Sequence, residues 1–239
     1  MDMKIAGSGV IGAGEYDKIS ISGSAKSEGR ILCREFHCSG AFSGNSDIEC
    51  TENIHASGAF SNSGNLKASE IHVSGALKIS GNCVSDKEAR ISGGFKCEGN
   101  LKACELKVSG GLSVGKDLEA ENAYITGGIS CGGLINAEEL RIELSNSHGS
   151  RAESIGGSKI IIENYRTKGL IDKIFGRSTC AFVVSDSIEG DEIIIEHTKA
   201  KTVTGRYVMI GEGCEIDLVQ YTENAEISPK AKVKNCEKI

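Results

Sequence analysis

Seven glycines, Gly23, Gly40, Gly58, Gly75, Gly93, Gly110 and Gly127, recur at intervals of 17, 18, 17, 18, 17 and 17 residues, each directly after Ser or Thr. So short and steady a period marks a solenoid, in which each repeat is one coil packed on its neighbours. It restricts the chain more than composition does, because a single coil of that length cannot enclose a core.

Counting each coil from the Ser or Thr before glycine as position zero, apolar residues fall into columns. Position three holds Ala25, Phe42, Phe60, Leu77, Phe95, Leu112 and Ile129, and position nine holds Ile31, Ile48, Leu66, Leu101, Leu118 and Ile135. Position eleven is small, from Cys33, Cys50 and Ala68 to Ala137. Positions fourteen and sixteen hold Phe36/Cys38, Ile71/Val73, Leu106/Val108, Ala123/Ile125 and Leu140/Ile142. In the 18-residue coils one extra residue displaces these last sites to Ile54/Ala56 and Ala89/Ile91. Pairs two apart are strand periodicity, and the longer steps between pairs are corners. Three short strands and three corners describe an all-β, parallel β-helix with triangular coils of 17–18 residues. Glycine at position one suits a corner that needs positive φ. A second glycine, at Gly29, Gly64, Gly81 and Gly99, marks another corner. Stability then has to come from ladder hydrogen bonds and packing between coils, since the few side chains of one coil do not offset the cost of ordering it.

Composition agrees with a thin aliphatic core: 31 glycines, one proline, no tryptophan and 5% aromatic residues in 239. A formal net charge of −6 argues against nucleic acid as a partner. Ten cysteines occur without any C-x-x-C spacing or paired histidines, and no secretory signal opens the sequence. Cys33, Cys50, Cys97 and Cys131 are read as inward, reduced, structural thiols, so a cytoplasmic location is expected. Acidic residues at position thirteen (Glu35, Glu70, Glu88, Glu105) stand beside His37, His55, His72, Arg90 and Lys107 at position fifteen. This predicts an outward ion-pair ladder, with a binding or pH-sensitive stripe through the histidines as the sharper alternative.

The regular coils occupy 1–142. Residues 143–182 form an irregular coil plus an insertion at 164–182, and 183–239 form further, less regular coils. The stretch Gly157–Glu163 recurs as Gly190–Glu196, and the pairs Ile193/Ile195, Val208/Ile210 and Ala225/Ile227 follow at steps of 15 and 17. Within the insertion, Leu170, Ile171, Ile174 and Phe175 lie at helical spacing beside Lys173 and Arg177. The plain reading is a helix or loop covering the coils; the sharper one is a partner or membrane patch. At the front, Ser8-Gly9 precedes Ser22-Gly23 by only 14 residues, so the first coil is expected to lack part of one side.

No catalytic constellation emerges. Aspartates are dispersed, and Gly7–Gly12 matches G-x-G-x-x-G without a surrounding βαβ unit. No cofactor or metal site is expected. The enzymatic alternative is a hexapeptide-repeat acyltransferase, opposed by the 17-residue coils and the isolation of His148 and His197. A monomeric carbohydrate-binding β-helix would need an aromatic platform, which Tyr16, Tyr124, Tyr165, Tyr207 and Tyr221 do not form in any column.

Uncapped coil ends expose unpaired backbone groups that invite end-on assembly. Apolar residues of the end coils, Ile5, Val10 and Ile11 at one end and Ala231 and Val233 at the other, are the candidates to carry it. The SG-[AG]-x-[FL]-x-x-x-G-x-[IL]-x-[AC] coils over Ile19–Ile142 resemble those of bactofilins, polymer-forming bacterial cytoskeletal proteins. The less regular second half, with GCEID and ISPKAKV, resembles a two-part variant of Gram-positive bacteria. The resemblance implies a right-handed β-helix and nucleotide-independent filaments, alone or with a paralogue. It also implies scaffolding of cell shape, cell-wall or flagellar machinery at the inner face of the membrane. Members of that family often attach through an apolar N-terminal tail, which Met1–Lys4 does not match.

Overall fold

The computed structural model describes residues 1–145, 149–164 and 182–239. The protein is an all-β parallel β-solenoid that forms two compact units, Met1–Glu121 and Asn122–Ile239. The expected insertion residues Leu170, Ile171, Lys173, Ile174, Phe175 and Arg177, and His148, lie outside the described residues.

In the first unit, each predicted column is a ladder of residues in register. Ile31 pairs with Ile48, then Leu66, Cys83 and Leu101 follow on successive coils. Phe42, Phe60, Leu77, Phe95 and Leu112 form a second such column. All of these side chains are buried, and the Phe42 and Phe60 rings lie 4.8 Å apart, tilted, with Phe36 edge-on to both. The extra residue of the longer coils falls at the corner after position eleven, where the register slips between Cys50 and Asn53 and again between Ser85 and Glu88. A sixth inward column, at position five, holds Ser27, Gly44, Asn62, Ile79, Cys97 and Val114. Its mixed polarity hides it from a hydrophobicity pattern, and only Cys97 and Cys131 hint at it.

The corner glycines are explained chiefly by crowding. A Cβ on Gly40, Gly58 or Gly75 would overlap the carbonyl oxygen of the equivalent glycine one coil earlier. Positive φ adds to this only later in the column, as at Gly110, with φ 134°. At the second corner, side-chain amides and carboxylates repeat the backbone pattern. Asp47 Oδ1 accepts the N–H of Asn65 at 2.8 Å, and Asn65 Oδ1 accepts that of Asn82 at 2.9 Å. Asn82 and Asn100 continue the series to the N–H groups of Asn100 and Asp117.

The first coil is not short, contrary to the expectation from Ser8-Gly9. Ser8 and Gly9 align with Ser24 and Ala25, not with Ser22 and Gly23, and the coil closes with Gly14 against Ile31. The Ser8-Gly9 pair is a false register mark, because this coil has no crowded position-one carbonyl beneath it.

In the second unit, Ile135, Ile155, Ile188, Val203, Val219 and Cys236 make one ladder, and Leu140, Ile160, Ile193, Val208 and Ala225 another. Gly157 lies opposite Gly190, as their shared sequence predicts. Residues 150–164 still supply strands of a coil, so the loss of the glycine period does not end the ladder. Pro229, which cannot donate to a ladder, sits in the turn between the strands Glu215–Ile227 and Lys232–Lys238.

Candidate assembly edges and the charged side face

The first unit begins with an open edge. Met3–Ile5 lie against Ile19–Ile21, Ser8–Gly12 against Ser24–Glu28, and Gly14–Tyr16 against Ile31–Cys33. Among the described residues of that unit, no strand covers the opposite side of these segments. Of the three assembly candidates here, Val10 points outward and is 58% exposed, Ile5 is half-buried, and Ile11 is fully buried as a core residue of the end coil. The second unit ends with a comparable edge, made by Asn224–Ile227 and Lys232–Lys238. Ala231 and Val233 are half-buried there, and Ile227, absent from the sequence candidates, is 39% exposed. Its place two residues after Ala225 marks it as inward; the missing coil above it leaves it open.

The ion-pair ladder predicted for the first unit is present. His37, His55 and His72 stack in register, with ring centroids 5.2 and 4.9 Å apart. Glu35 receives Lys18 at 2.9 Å and His37 at 3.3 Å. The Lys18 hydrogen bond, helped by Arg34, holds the Glu35 carboxyl below its usual range. Burial lowers the His55 imidazole's affinity for a proton, and the neighbouring His72 and His37 lower it further. Glu88 meets Arg90 at 2.9 Å, Lys107 at 3.0 Å and His72 at 3.4 Å. Desolvation opposes ionisation of Glu88, but the hydrogen bonds from Lys107 and Arg90 prevail and bring its pKa down to about 2.

On the second unit a groove of about 420 Å³ lies over the inward column Ser185, Ala200 and Ile216. Its walls alternate in sign from coil to coil. Lys199 and Lys232 both reach Glu215, at 2.8 and 3.3 Å, while Lys201 reaches Asp186 at 3.0 Å and Lys234 reaches Asp217 at 2.7 Å. Opposite charges directly across strands favour this register, and a slip of one coil member would set like charges together. The groove is therefore accounted for by ladder pairing. His197 occupies a turn, with φ 47°, its N–H donated to Glu212 O and its carbonyl accepting from Val183. Among the described residues, no group of three or more His, Cys, Asp or Glu is placed to hold a metal ion, and no helix is long and apolar enough to cross a membrane.

Two curated proteins of Bacillus subtilis (strain 168) are similar to this chain. The uncharacterized protein YhbF is 32% identical over 99 residues, 41% of this chain and 39% of its own length. The uncharacterized protein YhbE is 40% identical over 57 residues, 24% of each chain. No family model matches the sequence, and no solved structure matches it.

Proposed function

We propose that this protein is a non-enzymatic scaffold that assembles end to end, without nucleotide, into a bactofilin-like cytoskeletal polymer. The observation that carries this reading is the pair of open β-edges, one opening the first unit and one closing the second, each with exposed apolar side chains. Unpaired strand edges are templates for further pairing, and a solenoid coil offers three such edges in one plane. The serine-glycine coil pattern supports the same family reading. On it, the protein acts in the cytoplasm or at the inner face of the membrane, with itself or a paralogue, and organises cell-shape, cell-wall or flagellar machinery.

The test is negative-stain electron microscopy and sedimentation of purified protein without nucleotide, over a range of protein and salt concentrations. Filaments or ribbons are expected. Discrete trimers would favour the hexapeptide-type acyltransferase instead, and monomers at all concentrations would overturn the reading.

A further inference from the structure

The two edges are not merely open; they match each other position by position. On the edge that closes the second unit, Ala225–Ile227 occupy coil positions fourteen to sixteen, since Ala225 stacks in the Leu140 column. Ala231–Val233 occupy positions three to five, because Val233 and Ile216 continue the column that begins at Cys131 through Ser130 opposite Arg151. Cys236–Lys238 occupy positions nine to eleven, in the Ile135 column. On the edge that opens the first unit, Met3–Ile5 stand at fourteen to sixteen, Gly9–Ile11 at three to five and Gly14–Tyr16 at nine to eleven. Each exposed segment of one edge thus has a counterpart at the same positions on the other. The last register step of the second unit, Glu215 to Lys232, is 17 residues, the same step as Ile31 to Ile48 in the first.

Resting on the assembly reading above, we propose that copies join head to tail, the opening edge of one seated on the closing edge of the next, so that one parallel ladder runs through the seam. In that register Ile5 lies on Ile227, Ile11 on Val233 and Gly9 on Ala231, which extends the inward columns. Outward, Lys4 falls on Glu226 and continues the alternation of sign seen within the coils. Both residues are exposed, and neither forms an ion pair with another described residue. Val10 meets the aliphatic stem of Lys232. One contact is unfavourable: Glu15 falls beside Glu237, whose carboxylate already accepts from Gln220 at 2.8 Å. Joining like ends would reverse the strand direction at every seam, turning parallel pairing into antiparallel and breaking the columns. A head-to-tail contact keeps both and yields a polar, open-ended filament.

Charge exchange separates the two arrangements. Lys4→Glu and Glu226→Lys each place like charges at a head-to-tail seam, and each is expected to raise the concentration needed for assembly about two- to fivefold. Lys4→Glu/Glu226→Lys in one chain restores a complementary seam and returns assembly to the wild-type level. An equimolar mixture of the two single variants does the same, by strict alternation. Sedimentation velocity and electron microscopy read all four samples, with circular dichroism confirming that each variant keeps its strands. If wild type assembles but the double variant does no better than the worse single one, the seams join like ends and the head-to-tail proposal fails alone. Wild-type protein that stays monomeric overturns this proposal and the assembly reading together.

Discussion

Asn82 Oδ1 accepts the backbone N–H of Asn100 at 2.9 Å, while its own N–H is held by Asn65 Oδ1 at the same distance. Each asparagine thereby does for the next coil what a ladder carbonyl does elsewhere, at a corner where strand pairing lapses. The interaction needs only an acceptor, and Asp47 fills that role at the start of the series. Asn82→Asp is therefore expected to keep stability close to wild type, whereas Asn82→Leu loses about 1 kcal/mol. Urea denaturation midpoints of the two variants check this, and equal losses would show that the acceptor is not what matters.

The glycine corners predict an asymmetric pair of substitutions. Gly58→Ala drives a methyl group into the Gly40 carbonyl, which belongs to backbone and cannot swing aside. A loss of about 2–3 kcal/mol follows from such overpacking. Gly94 lies one residue past the corner, where a methyl group would meet only open space. Gly94→Ala is expected to be neutral or to stabilise by about 0.4–1 kcal/mol through the unfolded chain. Thermal melting of both variants distinguishes crowding at position one from a general cost of removing glycine.

Much of this fold is legible in the sequence because the ladder copies one residue type onto the next coil. The Phe42/Phe60/Phe95 and Ile31/Ile48/Leu66 columns can be read directly, since parallel in-register stacking turns sequence period into spatial contact. Position five escapes notice where Ser27, Gly44 and Asn62 interrupt its apolar run, although Ile79, Cys97 and Val114 lie in the same buried column. The asparagine corner is hidden for another reason: polar residues at a turn look like ordinary loop chemistry until their register is known. The first coil misleads because Ser8-Gly9 imitates the corner motif, and only pairing with Ser24 and Ala25 shows its place. Of the assembly candidates, Val10 is identifiable by position, but the match between Lys4 and Glu226 depends on two registers that no linear pattern displays.

The polar interruption at position five makes its own prediction. Asn62 and Ser27 are buried to within 3% exposure, and Asn62 Oδ1 and Ser27 Oγ have no hydrogen-bond partner. Both are aimed at the space where a side chain on Gly44 would stand. Asn62 Nδ2 donates to Asn65 O at 3.1 Å, so one hydrogen bond offsets part of the burial cost. Replacing an unsatisfied amide by an apolar group of similar shape is close to neutral or favourable. Asn62→Leu is expected to change stability by 0 to about +1 kcal/mol, in contrast to the loss usual for a core substitution. A clear drop in the denaturation midpoint would mean that the amide is satisfied in solution.

His55 gives the molecule a mild acid sensitivity near neutrality. Its proton affinity is lowered by burial and by the flanking His72 and His37, with Glu70 and Glu35 opposing the shift. A histidine with a lowered folded-state pKa binds fewer protons folded than unfolded, so stability falls as pH drops below about 6.5. His55→Gln should flatten the melting temperature between pH 7 and 5. An unchanged slope would place the sensitivity elsewhere on the face.

Glu88 governs a second, more acidic window. With its carboxyl at about 2 in the folded state, against about 4.3 unfolded, its contribution is fully present above pH 5. That contribution is lost as pH falls from the unfolded value toward 2, when the carboxylate facing Lys107, Arg90 and His72 takes up a proton. Glu88→Gln removes the charge at every pH. The variant is therefore expected to melt lower than wild type at pH 7 and to approach it at pH 2. Circular-dichroism melts at pH 7, 4 and 2 measure the convergence. A difference that stays constant down to pH 2 would mean that Glu88 acts through packing, and that the cations around it are held by the rest of the ladder.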